Sequence, residues 1–360
     1  MKHLSMEQIL ERIYLSEQFD EMRITRDQVH EMFREHLLFS HTPELGRKVN
    51  AVHDAFIQRT IELAEHILED EGFGKPPVPY AFILYGSGGR SEQTLWSDQD
   101  NGLVYGESDQ HPKEEVEEYF IKLVDCILKG LDALGYPPCE GNVVSSNIQW
   151  RKPLTEYTQM MLEWLQEPEW ENIRYLLIMA DMRCIYGSQN LVDQLKVTFS
   201  TYVRENSGIL NDLLSNTLHH KISLGVFGQL ITERYGEDAG GFDIKYGAYI
   251  PIVNGIRLLA IRAGIMHSST LQRIKLLKES GFIPDQLADE WSEAFGVALR
   301  LRDLTPFQLE HDMYTTRGKL GADQLTKEVK LELKQCLRAG IELQKYVKRS
   351  IVSHIEREKG

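Results

Sequence analysis

Tyr80-Ala-Phe-Ile-Leu-Tyr85-Gly86-Ser87-Gly88-Gly89-Arg90-Ser-Glu92-Gln-Thr-Leu-Trp-Ser-Asp98-Gln-Asp100 decides how the rest of the chain is read. Tyr80 to Tyr85 are bulky and apolar and suit a buried strand, and Gly86-Ser87-Gly88-Gly89 then lets the backbone turn tightly with its N–H groups exposed. Exposed amides bind anions. Ser87 adds a hydroxyl, and Arg90 a planar, permanently charged fork suited to phosphate oxygens. After a short linker, Asp98 and Asp100 lead into a second expected strand, Asn101 to Tyr105, where alternation points both carboxylates to one side. Such a pair can hold Mg²⁺, a hard cation that takes one or two protein carboxylates and leaves positions for substrate phosphates. The stretch reads as a phosphate cradle followed by a metal site; the plain alternative is a surface hairpin turn and a solvated acidic loop.

Other phosphate motifs do not fit. A dinucleotide-binding fingerprint needs a glycine where Ser91 stands, and the Gly-Lys-Ser/Thr of a Walker loop occurs nowhere in the chain. Gly86-Ser87 followed, after ten intervening residues, by Asp98-x-Asp100 instead resembles the signature of the polymerase-β-type nucleotidyltransferase superfamily. The longer string from Gly86 to Gln93, with Ser97-Asp-Gln-Asp-Asn101, is similar to a narrower group. These are nucleotidyltransferases often found beside CBS domains, relatives of the uridylyltransferase that modifies the nitrogen-regulatory PII protein. Ala180-Asp181-Met-Arg183-Cys-Ile-Tyr186-Gly187, Phe242-Asp243-Ile-Lys245-Tyr-Gly247, Arg257-Leu-Leu-Ala260 and Ser269-Thr270-Leu-Gln-Arg273 resemble that group's C-terminal helical substrate-binding domain.

The resemblance implies an α+β fold: a small mixed-sheet nucleotidyltransferase core (76–155), flanked by an N-terminal helical region (1–75) and a C-terminal helical bundle (156–360). It implies transfer of a nucleoside monophosphate from a nucleoside triphosphate to a protein or small hydroxylated acceptor, with Mg²⁺ or Mn²⁺ as cofactor and pyrophosphate released. Asp98 and Asp100 would be the catalytic metal ligands. Gly86, Ser87, Gly88, Gly89 and Arg90 would take the phosphates, with Lys245 a further phosphate contact or half of a surface ion pair with Asp243. A third carboxylate is expected on the next strand, yet Val143 to Gln149 holds none, so Glu140, just before it, and the Asn147 amide are the candidates. A nucleotide-binding regulator without turnover is the other reading of that gap. Glu92 is expected to pair with Arg90 and order the turn.

Composition agrees. A chain of 360 residues, 42% of them apolar, can build two or three cores. A formal charge of −14 argues against DNA or RNA as partner, since that binding depends on clustered Lys and Arg. No apolar run approaches the roughly 18 residues of a membrane span, and the N-terminal residues lack a secretion-signal pattern, so a cytoplasmic protein is expected. Cys126, Cys139, Cys184 and Cys336 are scattered and read as free thiols. A homodimer is left open.

Elsewhere helical periodicity dominates. Met6 to Phe39, and a stripe of Val49, Val52, Phe56, Ile57, Ile61, Ala64 and Leu68, predict packed helices ending before the Gly72–Pro79 junction. Pro112 to Leu134 predicts a helix across a sheet face, Asn142 to Gln149 a third strand, and everything beyond Trp150 a largely helical bundle. Arg257, Arg262 and Arg273 read as solvated helix-surface residues, with contact to substrate as the alternative. His53-Asp54 and His311-Asp312 lack the further ligands of an HD-type phosphohydrolase, and His219-His220 reads as a surface pair.

Overall fold

Ser5 opens the first helix with a capping box, its hydroxyl accepting from the Gln8 amide. That helix, α1 (Met6–Leu15), is followed by α2 (Phe19–Phe39), α3 (Pro43–Asp70), β1 (Tyr80–Leu84), the single turn α4 (Gly86–Arg90), β2 (Asn101–Tyr105), α5 (Lys113–Ala133) and β3 (Arg151–Pro153). Then come α6 (Leu154–Gln166), α7 (Trp170–Met179), β4 (Arg183–Gly187), α8 (Gln189–Glu205), α9 (Ile209–Thr217), β5 (Phe242–Asp243) and α10 (Ile250–Arg262). The chain closes with α11 (Thr270–Glu279), α12 (Asp285–Asp303), β6 (Phe307–Glu310), β7 (Met313–Thr316), β8 (Lys319–Leu320) and α13 (Lys327–Lys359). The structure, a computed structural model, describes residues 5–39, 43–219, 222–225, 228–236, 238–311 and 313–359. His220 and Asp312, each half of a pair singled out in the sequence, lie outside the described residues.

The chain divides into two compact units: Met1–Gln159 with Met182–Leu195 and Gln308–Thr315, and Met160–Asp181 with Lys196–Phe307 and Thr316–Gly360. The fold is α+β, as expected. In the first unit a four-stranded mixed sheet runs in the order β3-β2-β1-β4, with β1 antiparallel to both β2 and β4 and β2 parallel to β3. All five residues of β1 and of β2 are buried, and for β1 this is what its unbroken apolar run requires of a central strand. The stripe predicted on α3 is buried throughout, and so are Val116, Phe120, Leu123, Val124, Ile127 and Leu131 of α5. Phe120 stacks on Tyr105 of β2 at 4.6 Å and packs against Tyr80 of β1 at 5.4 Å, seating α5 on the sheet.

Two sequence expectations are corrected here. Asn142 to Gln149 is not a strand. Asn142 is left-handed, Asn147 caps a 3₁₀ turn (Ile148–Trp150), and the buried Asn101 Oδ1 accepts from both the amide and the hydroxyl of Ser145. The Asn147 cap is a local bond that competes with a ladder, the Asn101 side chain takes the Ser145 amide, and strand pairing with β2 is made by β3. The second correction concerns Arg183 to Gly187, expected within the helical bundle. It forms β4, the edge strand beside β1.

The second unit is helical, as predicted. Its buried polar centre corrects the reading of two arginines as solvated. Asp181 accepts from Arg257 Nε at 2.9 Å and Nη2, and from Arg273 Nη1 at 2.7 Å, with all three residues under a tenth exposed. Arg273 also donates to the Ala180 and His267 carbonyls, and Arg257 to Asn254 Oδ1, so these forks tie α10 and α11 to the end of the α7 segment. Arg262 bonds the Ser350 hydroxyl and lies over Phe282, 4.7 Å from the ring. Among the described residues no helix is long and apolar enough to cross a membrane.

Gly130 of α5 is where three helices close up: a Cβ there would stand 2.7 Å from Thr60 Cγ2 and 2.8 Å from Phe19 Cε1. Gly130→Val should therefore destabilise the first unit by about 1–3 kcal/mol. Gly46→Ala in α3, where nothing lies within 4 Å, should instead stabilise it by up to about 1 kcal/mol. Urea unfolding of the two variants checks the opposite signs.

Candidate active site

The hydrogen-bond ladder between β1 and β2 runs one step past the strands. Leu84 faces Asn101, and the Tyr85 amide donates to the Asp100 carbonyl at 2.9 Å, which sets Asp100 beside the first residue of the glycine turn. Gly86 adopts φ +52°, and a Cβ built on it would lie 2.1 Å from Asp100 Oδ2. Only a glycine satisfies both conditions, because the carboxylate occupies the space a methyl group would fill. Alternation brings Asp98 to the same side, as the sequence predicts.

The third member of the cluster is Cys139, which the sequence gave no reason to choose. Gln99 bridges Pro138 in parallel fashion, and its amide donates to the Pro137 carbonyl at 3.0 Å, so the residue after Pro138 comes level with Asp100. One carboxylate oxygen each from Asp98 and Asp100 and the Cys139 sulfur all lie within 4.8 Å of one another, and all three residues are half-buried. Burial, then the Asp100 carboxylate to which the thiol hydrogen-bonds, push the Cys139 thiol up to about 12. Glu140 is exposed and is not one of this group, and the side chain that stands beside the two aspartates is the thiol one residue earlier. Asn147 is spent on capping Gln149.

Helix α3 holds the turn and the linker through residues on one face. Asn50 accepts from the Gln93 amide at 2.9 Å, His53 Nε2 meets the Thr94 carbonyl at 3.0 Å and His53 Nδ1 meets the Tyr136 hydroxyl at 2.7 Å. Asp54 takes a two-pronged bond from Arg183 of β4, at 2.9 and 2.8 Å, and the same guanidinium donates to the Gly88 carbonyl at 2.7 Å. Positions 50, 53 and 54 share a face at helical spacing. His53-Asp54 is thus a brace and not a metal pair. The signal was present as a polar trio along an otherwise apolar stripe, but its partners lie about 40 and 130 residues away.

The turn itself is α4. The Gly89 amide is used by the Tyr85 carbonyl at 2.7 Å, while the first amides of any helix lack an intrahelical acceptor. Arg90 is buried, and its Nε donates to the equally buried Glu92 at 2.8 Å, the pairing the sequence predicted. Lys245 belongs to the second unit, where it starts a π-helical turn (Lys245–Tyr249) with its Nζ 5.4 Å from the Tyr246 ring centre. Asp243 lines a hollow of about 310 Å³ there with Ser223, Glu233 and Tyr246, and burial raises its carboxyl.

The donor set fits a divalent cation: the Asp98 and Asp100 carboxylates and the Cys139 sulfur converge. Gln93 Oε1, Gln99 Oε1 and Asn101 Nδ2 are buried and unbonded among the described residues, and their residues line, with Asp98 and Asp100, a cavity of about 20 Å³. That volume holds about one water molecule.

Two family models match the chain. One, described as "Putative nucleotidyltransferase DUF294", covers residues 25–171, and the other, "Putative nucleotidyltransferase substrate binding domain", covers residues 207–351. The chain belongs to this two-domain family. The first match takes in α3 as well as β1 and β2, so the bracing helix falls within the family's nucleotidyltransferase region. Comparison with curated proteins finds no match.

Two outcomes test the site's construction. Gly86→Ala should cost about 1–2 kcal/mol for its left-handed backbone and a further 1–3 kcal/mol, roughly, for displacing Asp100, read as a lowered unfolding free energy. His53 is held neutral down to about 3 by burial and the nearby Arg26 charge, against an ordinary value of 6.5. The unfolded chain therefore binds the proton first, and the stability His53 contributes is full above about 6.5 and lost as pH falls from there toward 3, at up to roughly 1.4 kcal/mol per pH unit. His53→Gln should flatten that dependence in denaturant unfolding at stepped pH; an unchanged slope would contradict the placement.

Proposed function

We propose that this protein transfers a nucleoside monophosphate from a nucleoside triphosphate to a hydroxyl of a protein or small-molecule acceptor, releasing pyrophosphate. The observation that carries the reading is the Asp100 carboxylate seated against the Gly86 bend with Asp98 beside it. Family membership supports nucleotidyl transfer in general terms. The net charge of −14 supports an acceptor other than nucleic acid.

Each residue then has a physical task. Asp98 and Asp100 would hold the divalent cation, Mg²⁺ or Mn²⁺, whose chemistry is to neutralise phosphate charge and lower the pKa of an acceptor hydroxyl. The Ser87 hydroxyl and the leading amides of α4 donate to the terminal phosphates. Arg90, paired with Glu92, keeps the turn in shape and adds positive potential beneath it. The α3 brace fixes the distance between turn and carboxylates, and a reaction this dependent on alignment loses rate steeply with small displacements.

The thiol in the third position supports a second reading, a nucleotide-binding regulator with slow or no turnover. Pyrophosphate release with each of the four common triphosphates, in Mg²⁺ and in Mn²⁺, separates the two. We expect turnover with at least one triphosphate, lowered about 100-fold or more by Asp98→Asn or Asp100→Asn. Saturable triphosphate binding with no release across a panel of protein and small hydroxylated acceptors would instead establish the regulator.

A further inference from the structure

The superfamily pattern leads one to expect a third carboxylate, and the fold supplies a sulfur. We propose that Cys139 is a third metal ligand beside Asp98 and Asp100, and that its sulfur gives the site affinity for a thiophilic divalent ion, of the Zn²⁺ or Co²⁺ type, in addition to the Mg²⁺ or Mn²⁺ that the aspartate pair takes. The inference rests on the proposed metal role of Asp98 and Asp100 and adds to it the identity of the third donor and of the further ion it admits.

Three observations carry it. The first is proximity: the sulfur and the two carboxylate oxygens lie within 4.8 Å of one another, close enough for one ion to take a bond from each. The second is backbone placement. The Gln99–Pro138 bridge and the Gln99-to-Pro137 bond, reinforced by the Gln99 side chain donating to the Tyr136 carbonyl at 2.8 Å, pin the Cys139 segment to the strand that carries both aspartates. The third is the unsatisfied polar lining of the cavity that Asp98 and Asp100 share. Gln93 Oε1 is an acceptor in a residue more than nine-tenths buried, unbonded among the described residues, and the single water that about 20 Å³ admits, drawn from the shell of an ion on the aspartates, would donate to it.

Donor chemistry decides the further ion. Mg²⁺ demands hard oxygen ligands in near-octahedral array and gains little from sulfur, whereas thiolate is a preferred ligand of Zn²⁺ and binds Co²⁺ well. The other cysteines do not reproduce this setting: Cys336 is buried with its thiol on the Ala294 carbonyl, and Cys184 donates to the Tyr186 carbonyl. On binding, the thiol proton passes to solvent as the sulfur–metal bond forms, so the hydrogen bond to Asp100 is exchanged for shared coordination.

Co²⁺ alone, titrated into the full chain, is the direct probe, because a cobalt–thiolate bond gives an intense near-ultraviolet charge-transfer band distinct from the weak visible d–d bands. We expect that band in the wild type and its loss in Cys139→Ser, with Zn²⁺ affinity falling at least about 10-fold and Mg²⁺ affinity changing less than about 2-fold. Cys139→Asp should restore the hard third ligand, lose the band and raise Mg²⁺ affinity above that of the wild type. Visible d–d bands without the sulfur band in the wild type would overturn the role of Cys139 while leaving the aspartate pair as a metal site. Absence of any Co²⁺, Zn²⁺ or Mg²⁺ binding would overturn both. Alkylation of Cys139, followed by peptide mass spectrometry, gives a second readout: Zn²⁺ should slow it at least 10-fold or so without slowing that of Cys126, and equal rates with and without Zn²⁺ would contradict the assignment.

Discussion

Everything at this site depends on one steric coincidence: the oxygen of Asp100 stands where the side chain of residue 86 would be. A glycine in the left-handed region lets the turn fold back against the neighbouring strand, and the carboxylate fills the space so released. The ladder bond from Tyr85 to Asp100 sets the register, so the turn and the acid cannot slide independently. A one-residue slip of β2 would carry both Asp98 and Asp100 to the opposite face of the sheet. Both central strands are buried on their two faces, so such a slip would force the side chains of each face into space shaped for the other. The hydrophobic core is in this sense what aligns the polar site.

A second layer of constraint comes from α3. An ion-paired arginine, an amide and a neutral histidine hold three points of the segment between the turn and the aspartates, and each bond has a geometry its partner cannot easily satisfy elsewhere. His53 stays neutral because burial penalises its charged form, and it is therefore available as a two-sided hydrogen-bonding group at ordinary pH. The result is a preorganised cradle on rigid elements, the condition under which electrostatic stabilisation of phosphate is most effective.

Local chemistry in the sequence was enough to identify β1, the glycine turn, β2 to its last residue, and the apolar faces of α3 and α5, because each is written in consecutive residues or at a fixed period. What escaped was written at long range. β4 reads as a continuation of a helical stretch, since nothing local in Arg183 to Gly187 announces pairing with a strand a hundred residues earlier. Cys139 comes level with Asp100 only through a bridge between Gln99 and Pro138 that no spacing rule contains. Arg257 and Arg273 look like surface cations until Asp181 is placed between them. The third strand failed for a different reason: in Val143 to Gln149 the Ser145 amide and hydroxyl are taken by the Asn101 side chain and Asn147 caps the turn that follows, so side-chain bonds replace the ladder.

The central claim is that the Gly86 bend and the Asp98/Asp100 pair grip one metal-loaded nucleotide. Anomalous diffraction from crystals grown with Mn²⁺ and a non-hydrolysable triphosphate tests it most directly. A manganese peak bound by Asp98 and Asp100, with the terminal phosphates within hydrogen-bonding distance of Ser87, is the expected result. A triphosphate bound away from the glycine turn, or manganese with neither aspartate in its coordination sphere, would contradict it.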